Sequence, residues 1–276
     1  MMRQDRILVV SDLDGTLLDN QQKISSKNLS TINSFRQAGG HFTIATGRMR
    51  KATEPIYQQL NIELPVIVYN GGQIYDPIHH KTLFEVELKA YQPVLKELIL
   101  LSNKKPLGIL LYSQEDVFTP NKNAIIKEYE QKDKVKTHQL NLDKLDKKVT
   151  KILTISPDLK VLKECEKITE QHNQGYWNLV YSEHNYYEIL PKEASKGRAI
   201  KYLFTLLPDD QQFDYLYCIG DNMNDLSMLK LADTGFYVKN SHKSLYQEQF
   251  TPTVANIDHA VSLVLRDIMV KHKLSI

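Results

Sequence analysis

Val9-Val10-Ser11-Asp12-Leu13-Asp14-Gly15-Thr16-Leu17-Leu18 sets two aspartates and a glycine directly after an apolar run, and this arrangement decides the fold class. Ile7 to Val10 is apolar and largely β-branched, which predicts a short buried strand. Two acids are thereby brought to a strand's carboxyl end, where ligands bind in parallel α/β sheets. Left alone, neighbouring carboxylates repel and one tends to stay protonated. A hard cation such as Mg²⁺ relieves the repulsion, because it takes oxygen ligands and keeps most of its waters. A plain Asp-Gly turn would look the same in isolation. The later motifs separate the two readings.

Outward from that stretch, Ser25 or Ser26 caps a helix running to about Ala38, which Gly39-Gly40 ends. Phe42 to Ala45 is a second β-prone run and terminates in Thr46-Gly47-Arg48. A helix to about Leu60 follows, interrupted early by Pro55, and Pro65 to Tyr69 is a third strand closing in Asn70-Gly71-Gly72. Strand alternating with helix over short connections predicts a parallel sheet with right-handed crossovers. From about Lys81 to Pro191 the order changes to two small α/β repeats that share element order but not sequence. Helices are expected over Tyr91 to Ser102, Asn121 to Gln131 and Pro157 to His172. Between them come a hairpin of Leu107 to Tyr112 and Asp116 to Thr119, a polar connection over 132–148, and strand Lys151 to Ile155. Strands Trp177 to Tyr181 and Tyr186 to Leu190 complete an inserted α+β unit on an antiparallel sheet. Parallel winding resumes with a Ser195-capped helix to Leu206 and strand Tyr215 to Ile219, which ends in Gly220-Asp221-Asn222-Met223-Asn224-Asp225. A helix from Leu226 to Leu231, a short strand from Gly235 to Val238 and a helix from about Asn256 to Lys271 close the chain. The expected fold class is α/β: a doubly wound parallel core from 1–83 and 191–276, split by an insertion over 84–190.

The 35 basic and 33 acidic residues leave a net charge of +2, too balanced to imply a nucleic-acid or membrane partner. The basic cluster Lys144 to Lys151 is interleaved with Asp143, Asp146 and apolar residues, and reads as a solvated face. Only Cys165 and Cys218 are present, without metal-binding spacing; Cys218 lies in an apolar run as a buried thiol, and a reducing cytosol fits. Ile7 to Val10 is too short for a signal peptide, and no apolar stretch approaches the roughly 20 residues that span a bilayer. The expected location is the cytoplasm. The histidines show no ligand spacing, and His79-His80 reads as a turn.

Four polar loops lie at predicted strand ends or helix starts: Asp12 and Asp14; Thr46 and Gly47; Lys196; and Asp221, Asn224 and Asp225. In a doubly wound sheet such positions converge. Together they supply what phosphoryl transfer from a monoester needs. Asp12 can attack phosphorus to give an aspartyl-phosphate. Mg²⁺ on Asp12, Asp221 and the Asp14 carbonyl, with the Lys196 ammonium, can offset the phosphate charge. The Thr46 hydroxyl and N–H groups near Gly47 can cradle phosphate oxygens. Asp14 can protonate the leaving alkoxide and then activate water.

Asp12-Leu13-Asp14-Gly15-Thr16, Thr46-Gly47-Arg48, Ser195-Lys196-Gly197 and Gly220-Asp221-Asn222-Met223-Asn224-Asp225 resemble the four motifs of the haloacid dehalogenase superfamily. Asn70-Gly71-Gly72, the large insertion and Glu188-Ile189-Leu190-Pro191 narrow the resemblance to its Cof-type sugar-phosphatase branch. The likeness implies a Rossmann-like core under a large α/β cap, Asp12 as nucleophile and Asp14 as acid/base. It also implies Mg²⁺ on Asp12, Asp14 and Asp221, and phosphate contacts from Leu13, Thr46, Gly47, Lys196 and Asn224. Asp225 would orient Lys196 or a metal water. An acid/base aspartate two residues beyond the nucleophile fits phosphatases rather than dehalogenases. Phe236 to Ser241 and Ile257 to Val261 depart from the family pattern, which bears on loops beside the site entrance.

The implied function is hydrolysis of small phosphorylated metabolites. A phosphomutase or phosphotransferase, and a binding regulator without turnover, remain open at this stage. Arg48 either reaches substrate or pairs with an acid at the start of its helix. Asn222 reads as structural, and Asp225 also suits a helix start. Tyr181, His184, Asn185, Tyr186 and Tyr187 crowd a predicted turn, and alternating aromatics there suit strand surface or core better than a pocket wall.

Overall fold

The structure, a computed structural model, describes residues 5–113, 115–141, 148–208 and 212–274. In chain order it begins with β1 (Ile7–Ser11), α1 (Ser26–Gln37), β2 (His41–Ile44), α2 (Arg50–Gln59), β3 (Val66–Val68), β4 (Gln73–Asp76) and β5 (Lys81–Glu85). There follow α3 (Gln92–Ser102), β6 (Gly108–Ser113), β7 (Asp116–Thr119), α4 (Ala124–Asp133), β8 (Thr137–Gln139), β9 (Lys151–Ile155), α5 (Leu159–His172), β10 (Trp177–Glu183) and β11 (Tyr186–Pro191). The chain continues with α6 (Lys196–Leu206), β12 (Tyr215–Gly220), α7 (Leu226–Leu229), β13 (Thr234–Tyr237), β14 (Thr251–Pro252) and α8 (Ala260–Lys271). No described helix is long and apolar enough to cross a membrane.

Five strands make a wholly parallel sheet in the order β14-β13-β12-β1-β2. All five positions of β1 are buried, as its unbroken apolar run requires, since a parallel strand is covered on both faces. Burying Ile7, Leu8, Val9 and Val10 completely contributes up to about 1.5–3 kcal/mol each. Because the strands point the same way, the carboxyl ends of β1, β2 and β12 open onto one edge. Asp12 N–H donates to the Ile219 carbonyl and Ala45 N–H to the Ser11 carbonyl, both at 2.9 Å.

Two expectations for this core need correction. The third strand does not extend the parallel sheet beyond one bridge. β3 meets that sheet through a single parallel bridge, Ala45 to Ile67, and along its length pairs antiparallel with β4, which pairs with β5. Tyr69 and Asn70 adopt φ of 53° and 54° and reverse the chain there, so the Asn70-Gly71-Gly72 segment makes a hairpin turn. The expected boundary at 83/84 therefore falls inside β5. The second correction is Pro55, which lies inside an unbroken α2. Pro55 and Lys51 are both exposed, so water can serve the carbonyl that the missing N–H leaves free.

The second sheet runs β10-β11-β9-β6-β7-β8 and is antiparallel except between β7 and β8. β8 lies in the stretch expected as a polar connection; residues 142–147, with Lys144 and Lys147 of the basic cluster, lie outside the described residues. Pleat alternation divides the central strands cleanly. Ile109, Leu111, Ile152, Tyr187 and Ile189 pack with α3 and α5. Leu110, Tyr112, Leu153, Ile155 and Tyr186 turn the other way and join the apolar cluster of the parallel core. The Tyr69 and Tyr112 rings meet edge to face across that junction, centroids 6.1 Å apart.

Helix α6 approaches α7 closely, because Gly197 carries no side chain. A methyl there would stand 2.3 Å from the Ser227 carbonyl oxygen, a backbone atom that cannot step aside. Gly197→Ala should cost about 1–3 kcal/mol through overpacking, read as a lower thermal midpoint. An unchanged midpoint would show that this close approach is not a constraint on the fold.

Candidate active site

Lys196 opens α6, whose cap is the Ser195 hydroxyl accepting from Arg198 N–H at 3.2 Å. Its side chain is fully buried, and its ammonium donates to Asp12 Oδ1 and Asp225 Oδ1, each at 2.5 Å. A buried cation without such partners would cost several kcal/mol. Burial would lower the Lys196 ammonium's affinity for its proton, but Asp12 and Asp225 outweigh burial and hold it above its ordinary range.

Asp225 is fully committed. Its second oxygen accepts from Asp221 N–H at 2.8 Å and Asn222 N–H at 3.0 Å, closing a capping box with Asn222. Both sequence readings of Asp225 thus hold together: it starts the turn and it pairs with Lys196. Asp221 receives the Thr16 hydroxyl at 3.3 Å. Gly15, at φ 77°, passes so close that a methyl would lie 2.5 Å from the Asp221 carboxylate, so this turn needs glycine both for its backbone and for its clearance.

Asp12, Asp221 and Asp225 can each offer an oxygen within 4.8 Å of the others. Burial pushes the Asp12 carboxyl up to about 7 against the pull of Lys196, with Asp225 and Asp14 adding to the rise. Asp221 is raised well above the usual carboxylate range, first by burial and then by Asp12 and Asp225. One ammonium does not neutralise three carboxylates. An all-oxygen, under-neutralised donor set of this kind fits a hard divalent cation.

The remaining expected residues line the same edge. Thr46 is buried, and its hydroxyl accepts from Arg48 N–H at 3.1 Å. Gly47 lies against the Asn70 amide, and Leu13 is buried between the two aspartates. Asn224 donates to Asn70 Oδ1 at 3.0 Å, while its own buried oxygen has no partner. Arg48 resolves in favour of an acid, though not one on its own helix. Its Nε and Nη2 grip both oxygens of Asp14 at 2.7 and 2.6 Å, and Nη2 also meets the Gln22 amide oxygen. The Asp14 carboxylate is thus held on Arg48. Asn222 is structural, as expected, and also donates from Nδ2 to the Ser182 carbonyl of β10 at 2.8 Å.

A cavity lies over this edge. Asp12, Asp14, Asp221 and Asn224 form its floor, and Gly47 and Arg48 one side. Its roof is the core-facing side of the second sheet with α4: Tyr112, Tyr129, Lys151, Ser182, Tyr186 and Glu188. The Tyr112 and Tyr129 hydroxyls meet at 2.5 Å. One sequence reading is extended and one is overturned. Tyr186, expected at strand surface or core, lies in the core cluster and also lines the cavity, whereas Tyr187 one residue on packs on the opposite side, because adjacent strand residues face opposite sides. Lys151, assigned to a solvated face, is buried; Lys148 remains exposed. The period-two pattern of β9, with Lys151 in phase with Leu153 and Ile155, is the signal that places it inward.

Residues 9–265 match the family model of the haloacid dehalogenase-like hydrolases. The chain is 28% identical to the pyridoxal phosphate phosphatase YbhA of Escherichia coli, over 85% of this chain and 88% of that protein. It is 25% identical to the 5-amino-6-(5-phospho-D-ribitylamino)uracil phosphatase YwtE of Bacillus subtilis, over 95% and 97% respectively. Among solved structures, a haloacid dehalogenase-like hydrolase from Bacteroides thetaiotaomicron superposes with a TM-score of 0.81 at 26% identity, covering 95% of this chain and 99% of that one. With its four motif loops gathered at one edge of a parallel sheet, the chain belongs to the haloacid dehalogenase-like hydrolase family.

Proposed function

We propose that this hydrolase is a Mg²⁺-dependent phosphatase of small phosphorylated metabolites that works through an aspartyl-phosphate on Asp12, under a cap formed by residues 84–190. The observation that carries the reading is the buried Lys196 ammonium pinned between Asp12 and Asp225, directly beneath a cavity whose floor Asp12 lines. Mg²⁺ held by Asp12, Asp221 and the Asp14 carbonyl would, when bound, offset the charge between phosphate and carboxylates. Asp225, its oxygens already taken, positions Lys196 instead.

Lys196 holds one Asp12 oxygen, which leaves the other to attack phosphorus. The new bond is Asp12 oxygen to phosphorus, and the broken bond is phosphorus to the leaving oxygen. Lys196, Thr46, Gly47, Asn224 and the Leu13 N–H would hold the phosphate oxygens; the unpartnered Asn224 oxygen can take a hydroxyl from the substrate. Off Arg48, Asp14 takes up a proton from solvent and gives it to the leaving alkoxide; it then takes one from the water that attacks phosphorus and frees Asp12, and releases it to solvent on returning to Arg48. For that, Asp14 must leave its bidentate hold on Arg48, so Arg48 sets where the acid/base rests between steps. The roof excludes bulk water while the phosphoenzyme lasts. The tyrosine-lined roof meets the leaving group, and the two named relatives indicate small phosphorylated metabolites as the class.

Asp12→Asn should abolish turnover of p-nitrophenyl phosphate, and EDTA should do the same to the wild type. Asp14→Asn should slow poor leaving groups by about 10²–10⁴-fold and p-nitrophenyl phosphate far less, since that leaving group needs no proton. Turnover surviving both EDTA and Asp12→Asn would refute the reading. A second check uses stability. Asp12, ordinarily near 3.8, stands at about 7 here, so its contribution is full below pH 3.8 and lost as pH rises through about 7. Metal-free protein should melt lower at about pH 8 than at about pH 5, and Mg²⁺ should raise the midpoint more at the higher pH. Equal Mg²⁺ effects at both would contradict the assigned ligands.

A further inference from the structure

Lys151 on β9 and Glu188 on β11 are a buried ion pair, with side chains 4% and 3% exposed and Nζ 3.2 Å from Oε1. Tyr112 pairs with Lys151 across the ladder and Leu153 with Glu188, so both charges project from the roof face that looks down on the parallel sheet. Burying such a pair is unfavourable unless its remaining donors and acceptors are satisfied. Here the core and the neighbouring strand β10 satisfy them. Lys151 Nζ donates to the Gly47 carbonyl at 3.0 Å. Asn70 Nδ2 donates to Glu188 Oε2 at 2.7 Å, and the Ser182 hydroxyl to Oε1 at 2.6 Å.

These contacts continue into the phosphate-binding loops. Asn70 Oδ1 accepts from Asn224 at 3.0 Å, and a methyl at Gly47 would stand 3.1 Å from the Asn70 amide. Gly47 and Asn224, both assigned above to phosphate, are thereby tied to one pair of roof charges. The Lys151 ammonium has its third direction over the Tyr112 ring, 4.6 Å from the centroid, so its protons are taken by the protein. With the roof lifted, both ions would lose their core partners together. Such an all-or-none set of bonds links two parts of a site as a unit.

We propose that Lys151 and Glu188 form a charged clasp that couples closure of the roof to the geometry of the phosphate-binding loops. They are positioning residues, acting through Gly47, Asn70 and Asn224. The proposal rests on the phosphatase reading of the site and adds its regulation by closure: phosphate is gripped well only when the roof is down.

The test is calorimetric binding of inorganic phosphate, with Mg²⁺ present, to the full-length protein, alongside p-nitrophenyl phosphate kinetics. Lys151→Met and Glu188→Gln should each weaken phosphate binding by about tenfold or more, and the double variant should be no worse than the poorer single, because a coupled unit is lost once. Lys151→Arg, which keeps the charge but must fit a larger planar group, should weaken phosphate binding less than Lys151→Met. KM should rise with the loss of phosphate affinity. Should Lys151→Met fail to fold, Glu188→Gln alone carries the test, since it is isosteric. Folded variants with lower melting points but unchanged phosphate affinity would overturn the clasp, as would strictly additive losses. A wild type that binds no phosphate would overturn it too. A wild type that binds phosphate through the clasp yet hydrolyses no phosphomonoester would refute only the phosphatase reading.

Discussion

A fully buried lysine ammonium, held between Asp12 and Asp225, is the constraint from which the site follows. It fixes the start of α6 against the carboxyl ends of β1 and β12, which are neighbours in the parallel sheet. It also fixes which carboxylate does what. Asp225 is saturated by Lys196 and two backbone N–H groups and is left with a supporting task. Asp12 keeps one oxygen clear. Asp221, raised by burial beside two other acids, is left in need of positive charge. The electrostatics of the site are therefore those of an anion-handling centre that one ammonium leaves incomplete.

The roof has a different logic. Its sheet is antiparallel, so alternate residues face α3 and α5 or face the site. One strand thus carries structural and functional residues in strict alternation, as Tyr186, Tyr187, Glu188 and Ile189 illustrate. Two of the site-facing residues are charged and buried, and both reach across to the core. The floor and the roof are joined by hydrogen bonds at Gly47, Asn70 and Asn222, close to the loops proposed to hold phosphate.

Much of the floor was legible in the chain. The Asp12, Thr46, Lys196 and Asp221 loops each follow a short apolar run or open a helix, and a parallel sheet brings such ends together whatever the exact strand order. What was not legible depended on pairing partners. The Pro65 to Tyr69 run looks like any buried strand, and only its turn, with two non-glycine residues at positive φ, sends it into a hairpin. Lys151 looked solvated because it closes a lysine-rich run, while its neighbours in space are Glu188, Tyr112 and Gly47. Arg48 was ambiguous because its partner, Asp14, is 34 residues away. Charge pairing across elements is the part of the site that local pattern does not encode.

Phosphorylation of Asp12 during turnover is open to direct measurement. Borohydride reduces an acyl phosphate but not a free carboxylate, so trapping during steady-state turnover followed by peptide mass spectrometry reads it residue by residue. The expected result is homoserine at position 12, dependent on substrate and Mg²⁺ and absent in Asp12→Asn; a phosphorylated Asp12 gives no other product. Reduction at another carboxylate, or turnover with Asp12 never modified, would contradict it.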